Sequence, residues 1–193
     1  GKSCALEVLC NWVEEHTRGG MRLECCAMTG SAASLVPRGV TAFSLFGFNI
    51  VDGGGQNTVR PLGATANGAK EQNLRASFNP RVGLAAQDWT GAGLACDEMS
   101  QFHLAMLAHM DNRMRAAAEP DMQHLPFGGH AVILQGDFFQ MKPTGADAMF
   151  SGVMDYYVHG RPGDSTKARK WDSKYGPGKA SARGAELLVQ FQL

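Results

Sequence analysis

The sequence predicts an α/β domain built on a mostly parallel sheet. Three observations lead there. Short apolar runs (Leu23-Glu24-Cys25-Cys26-Ala27-Met28, Leu94-Ala95-Cys96 and Ala131-Val132-Ile133-Leu134) alternate with stretches of helical periodicity. Each run ends in residues that leave a strand: Thr29-Gly30, Asp97-Glu98 and Gly136-Asp137. Finally, the chain opens on Gly1-Lys2-Ser3 directly before a helical run, the last third of the phosphate-loop pattern G-x-x-x-x-G-K-[ST].

The elements follow in order. From Ser3 to about His16 the apolar residues Leu6, Leu9, Cys10 and Val13 fall on one helical face, and Arg18-Gly19-Gly20 stops the helix. The 23–28 strand comes next. A short helix is expected from Ser31 to Val36, stopped by Pro37. Residues 49–90, rich in Gly, Asn and Pro and carrying Gly53-Gly54-Gly55, read as a long loop insertion. The 94–96 strand runs into Asp97-Glu98. Phe102, Met106, Met110 and Met114 line one face of a helix from Phe102 to Ala118. Pro120 to Gly129 reads as a loop, and 131–134 as the clearest strand. A second insertion is expected over 146–182, where Gly160 to Ala182 reads as a mobile basic segment.

Composition narrows the partners. Lys plus Arg and Asp plus Glu both number 18, so any nucleic-acid contact must come from a local patch. Five cysteines, an odd number without a C-x-x-C pair, read as small buried residues in a reducing, intracellular compartment. No apolar run approaches the length of a membrane span. The six histidines show no metal-ligand spacing. The chain is expected to be one truncated domain, 1–193, cut from something longer, because the first half of its phosphate loop is absent.

Three groups could carry chemistry. In a phosphate loop the backbone N–H groups of a helix start hold phosphates, Lys2 reaches the terminal ones and the Ser3 hydroxyl binds Mg²⁺; taken alone, the tripeptide is more often a chance Gly-Lys-Ser whose serine only caps a helix. Asp97 and Glu98 follow an apolar strand, where one acid would hold Mg²⁺ through its water shell and the other would orient or deprotonate an attacking water; an acid pair at a helix N-terminus is the plainer alternative. Gln140, just past the third strand end, could hydrogen-bond a γ-phosphate, although taken alone a turn with Phe138 and Phe139 packed in the core is the commoner arrangement. The basic run Lys167, Arg169, Lys170, Lys174, Lys179 and Arg183, with Trp171 and Tyr175 inside it, could touch a nucleic-acid backbone and stack on bases, with a solvated loop as the favoured alternative.

Taken together, these segments resemble the Pif1-like DNA helicases, a superfamily 1 group of P-loop NTPases with RecA-like motor domains. Gly1-Lys2-Ser3 matches the end of helicase motif I. The stretches from Ala27 to Ala33 and from Gly39 to Gly47 are similar to the motif Ia region, and Leu94 to Ser100 to motif II. Pro126-Phe127-Gly128-Gly129, followed by Val132-Ile133-Leu134-Gln135-Gly136-Asp137-Phe138-Phe139-Gln140, resembles the family's PFGG segment and motif III and is the most specific match. Gly184 to Phe191 weakly resembles the segment before motif IV.

The resemblance implies the first RecA-like domain, a three-layer α/β unit, of an ATP-driven 5′-to-3′ DNA helicase with ATP and Mg²⁺ at its site. Gly1, Lys2 and Ser3 would bind ATP, and Ser3 and Asp97 would support Mg²⁺. Glu98 would be the catalytic base and Gln140 the γ-phosphate sensor. Thr29, Gly30 and Ser44 would lie on a single-stranded DNA track leading to duplex junctions. The second RecA-like domain and its arginine finger would lie beyond Leu193, so the 193 residues alone are expected neither to hydrolyse ATP appreciably nor to unwind DNA. Work in DNA repair, recombination and telomere maintenance is implied by the resemblance only, as is a place in the nucleus or mitochondrion if the source is eukaryotic, or on a mobile element.

Departures from the family pattern are Phe43 in place of a usual histidine, Gln101 in place of a usual methionine, and Met141-Lys142-Pro143-Thr144 in place of a Leu-Pro-Pro-Val-like stretch. They keep open a degenerate nucleic-acid-binding module without turnover. Another P-loop nucleic-acid translocase is the third reading.

Overall fold

The computed structural model describes residues 1–18, 20–46, 50–51, 58–59, 91–137, 166, 169, 172 and 180–191. A four-stranded sheet organises them. Its strands are β1 (Arg22–Ala27), β2 (Val40–Thr41), β5 (Ala92–Cys96) and β6 (Val132–Leu134), in the order β2-β1-β5-β6, with every pairing parallel. Two short strands, β3 (Ile50–Val51) and β4 (Thr58–Val59), form a separate antiparallel pair. Because all four main strands run the same way, their carboxyl ends share one edge, where ligands of open α/β sheets bind.

Strand periodicity sorts side chains onto two faces. Leu23 and Cys25 of β1, Ala95 of β5 and Ile133 of β6 face one way and meet Leu6, Leu9, Cys10 and Val13 of α1 (Lys2–His16). Cys26, Leu94, Cys96, Val132 and Leu134 face the other way. There they meet α3 (Ala42–Phe46), α4 (Leu104–Ala117) and α5 (Ala180–Leu188), giving helix, sheet and helix in three layers. The expected apolar face of α4 is the packed one: Phe102, Met106, Met110 and Met114 are completely buried.

Several elements differ from expectation. The short second helix, α2 (Gly30–Ala33), is capped by Thr29 and ends before Val36, which instead closes a turn by accepting from Gly39 N–H at 3.1 Å. β2 and α3 were not expected; both are too short to show a period. β5 begins two residues early, at Ala92-Gly93, where the glycine resembles a turn signal in sequence. The Pro120–Gly129 loop contains a 3-10 turn over Pro126–Gly129. The end of the expected basic segment is the first turn of α5, and the helix buries Ala182, Ala185, Leu187 and Leu188. Gly184 lets α5 approach α4, because a Cβ there would lie 1.8 Å from the Leu104 carbonyl oxygen. Most of both expected insertions falls outside the described residues. No described helix is long and apolar enough to cross a membrane.

Candidate functional site

α1 starts at the sheet's carboxyl edge. Gly1 occupies its N-cap position, and the Gly1 carbonyl accepts the first helical bond from Ala5 N–H at 3.1 Å. The next N–H groups have no helical partner, and the helix dipole adds positive potential there. No acidic residue lies in that first turn, so the α1 start carries no anionic group of its own. Lys2 is half-buried beside it. Ser3, also half-buried, donates its hydroxyl to Asp97 Oδ2 at 3.5 Å, across 94 residues of chain. The serine of Gly-Lys-Ser and the strand-end acid therefore meet.

Asp97 is 3% exposed and forms no ion pair among the described residues. Hydrogen bonds hold it instead. Its backbone N–H donates to the Cys26 carbonyl at 2.8 Å, continuing the β1–β5 ladder past the strand end. Its Oδ1 accepts from Glu98 N–H at 2.9 Å and from Gln135 Nε2 at 3.2 Å. Glu98 then turns the chain in the left-handed region, φ 54° and ψ 46°. Such a backbone is uncommon outside glycine and clusters at functional sites. It ends the strand abruptly and leads into a 3-10 turn over Met99–Gln101. Glu98 Oε2 is buried, and neither it nor the buried Ser100 Oγ has a hydrogen-bond partner among the described residues. Burial pushes the thiol of neighbouring Cys96 well above its ordinary pKa, so the strand end beneath the acids is apolar and uncharged.

This oxygen set suits Mg²⁺, a hard cation that takes one or two carboxylates and completes its shell with waters and substrate phosphates. No cluster of three or more His, Cys, Asp or Glu side chains able to hold a metal occurs among the described residues. Asp97 and Ser3 are the residues that would hold such an ion.

The expected nucleic-acid residues lie at the neighbouring strand ends. Thr29, just past β1, caps α2 by accepting from Ala32 N–H at 3.2 Å, and its hydroxyl lies 3.1 Å from Ser31 Oγ. Gly30 is exposed, with open space where a side chain would be. Ser44 is exposed on α3, its N–H bonded to Thr41 Oγ1 at 3.1 Å. Phe43, by contrast, is half-buried and packs against the main core. Gln140, Phe138, Phe139 and the Met141–Thr144 stretch lie outside the described residues, as does the basic run except Arg169, which is exposed, and Arg183.

Sequence reasoning missed two residues. Gln135 sits inside the motif III match, yet only its neighbours were singled out. Asp111 has a legible signal: with Leu104, Leu107 and Ala108 it falls on the apolar face of α4. It is fully buried and is the hub of a network, bound by Arg115 Nε at 2.9 Å, by Arg183 at 3.5 Å and by Phe127 N–H at 2.6 Å. The Phe127 bond fixes the Pro-Phe-Gly-Gly turn, whose Phe127 backbone is left-handed at φ 52°.

Comparison with known proteins bears on the fold and the family. The structure is similar to that of Bacteroides sp. Pif1 in complex with ADP-AlF4, at a TM-score of 0.50 and 21% identity over 90% of this chain and 31% of that one. It is similar to Pif1 helicase from Candida albicans at a TM-score of 0.50 and 21% identity, over 93% of this chain and 42% of that one. At such identities the likeness bears on the fold, which is that of a RecA-like domain, and the chain spans about a third of the length of the first relative. No curated protein sequence matches the chain. The sequence itself matches the PIF1-like helicase family over residues 1–154, a span containing the Gly-Lys-Ser start of α1, the Asp97-Glu98 strand end and the Pro-Phe-Gly-Gly turn, and the chain belongs to that family.

Proposed function

We propose that this chain forms the nucleotide-binding RecA-like domain, with insertions at 49–90 and 146–182, of an ATP-dependent DNA helicase that moves 5′ to 3′ along single strands. A second RecA-like domain of the same polypeptide would complete the motor. The observation that carries this reading is the meeting of Ser3 with Asp97 at 3.5 Å, beside the N-terminus of α1 and a Glu98 Oε2 that has no partner among the described residues.

The roles follow from placement. Gly1, Lys2 and Ser3 bind the triphosphate through backbone N–H groups, ammonium and hydroxyl. Ser3 and Asp97 hold Mg²⁺, which when bound neutralises phosphate charge. Glu98 Oε2, with no competing donor among the described residues, takes the proton of the water that attacks the γ-phosphorus as the bond to the ADP oxygen breaks. Gln140 senses the γ-phosphate. Thr29, Gly30 and Ser44 offer hydroxyls and backbone along neighbouring strand ends, suited to a phosphodiester track that leads to a duplex junction. Work in DNA repair, recombination and telomere maintenance, and in a eukaryote a place in the nucleus or mitochondrion, belongs to the same reading and rests on the resemblance alone.

The test is single-stranded-DNA-stimulated ATP hydrolysis by the full-length polypeptide beside its Lys2→Ala variant. Loss of a charged group at the transferring phosphate should cut the rate by about 10²–10³. Equal rates with and without DNA, in both proteins, would point to a binding module without turnover.

A further inference from the structure

Asp97 has to present its carboxylate to a metal, yet nothing in β5 fixes its rotation. A carboxylate offers about four lone-pair sites on its two oxygens. Here two donors converge on one oxygen: Glu98 N–H at 2.9 Å and Gln135 Nε2 at 3.2 Å both bond Oδ1. Among the described residues Oδ2 meets only the Ser3 hydroxyl, at 3.5 Å. Gln135 is itself held on both sides of the acid pair. Its N–H donates to the Cys96 carbonyl at 2.8 Å and its carbonyl accepts from Met99 N–H at 2.9 Å. The next residue permits this clamp, because a Cβ on Gly136 would sit 2.7 Å from Met99 N.

We infer that Gln135 is a positioning residue that saturates Asp97 Oδ1 and so commits Oδ2 to the water shell of the nucleotide-bound Mg²⁺. The inference rests on the nucleotide reading above and deepens it. Without the amide, Oδ1 keeps one donor and the carboxylate turns more freely. The metal is then held less well, while the phosphate contacts of Lys2 and the α1 N-terminus persist. Residues that orient a metal's protein ligands typically matter by about 10–100-fold in metal affinity.

The experiment uses the full-length polypeptide and a fluorescent, non-hydrolysable ATP analogue titrated at increasing Mg²⁺. Gln135→Met keeps length and volume and removes the donor. Gln135→Asn keeps the amide but falls one carbon–carbon bond short of Asp97. Both should raise the Mg²⁺ concentration for half-maximal binding about ten-fold, reach wild-type binding at saturating Mg²⁺, and leave the melting temperature close to wild type. If the Met variant fails to fold, the Asn variant carries the same expectation. A lower melting temperature with an unmoved Mg²⁺ midpoint would mean that Gln135 only packs, and would overturn the inference alone. A wild-type protein whose nucleotide binding ignores Mg²⁺ would overturn the nucleotide reading and this inference with it.

Discussion

Glu98 combines two features that stability alone does not favour: a left-handed backbone and a buried carboxylate oxygen without a partner among the described residues. Strain and unsatisfied polarity each cost on the order of 1–3 kcal/mol, and a fold keeps them where function needs them. Glu98→Gln keeps the shape and removes the proton acceptor. It should bind ATP as the wild type does and hydrolyse it about 10²–10⁴ times more slowly, as measured by nucleotide affinity beside steady-state turnover. Undiminished turnover would move the base elsewhere. At this scale much of the site was legible, because Gly-Lys-Ser and Asp-Glu carry their chemistry in residue type and position along the sheet. Gln135 was not legible. Its role comes from a cross-strand approach of β6 to β5, and a glutamine in a strand end carries no signal of what its amide will meet. Phe43 was legible as a departure from family pattern, but not as a residue packed against the core.

Asp111 illustrates how the elements hold one another. One buried carboxylate joins α4 to Arg115 on its own helix, to Arg183 on α5 and to the backbone of the Pro-Phe-Gly-Gly turn that leads into β6. Asp111→Ala would leave the Phe127 N–H without its acceptor and take one acceptor from each guanidinium, while Arg115 keeps the Gln123 and His124 carbonyls and Arg183 keeps Glu186. A buried donor left unsatisfied costs about 1–3 kcal/mol, so the urea midpoint should fall below wild type. Asp97 and Ser3 lie elsewhere in the fold, so Mg²⁺-dependent nucleotide binding by the protein that remains folded should persist. An unchanged midpoint would show the network to be dispensable. Long elements with a clear period, α1 and α4, were legible to within two residues. α5 was not, because its first turn continues a Lys-, Arg-, Gly- and Ser-rich stretch whose polarity hides Ala182, Ala185, Leu187 and Leu188. The Pro-Phe-Gly-Gly segment was legible as a motif, while its anchor on Asp111 depends on tertiary contact.

Across the whole molecule the sheet separates two apolar layers, and the cysteines report on both. Cys10 and Cys25 lie 3.5 Å apart between α1 and β1, and Cys26 and Cys96 lie 3.5 Å apart on the opposite face. All four are buried and Cys4 is exposed. Burial raises the pKa of Cys25 and of Cys96, so both are protonated thiols at neutral pH and poor nucleophiles. An alkylating agent should therefore modify Cys4 quickly in the native protein and the other four only after unfolding. The strands are common to both layers, and opening either face strips apolar cover from the same backbone. Folding as one cooperative unit then requires the two pairs to be labelled at the same rate, with the same dependence on urea. Alkylation followed by peptide mass spectrometry measures this directly. Faster labelling of Cys10 and Cys25 would show that α1, which carries Lys2 and Ser3, opens apart from the rest and that its face of the sheet is the less stable one.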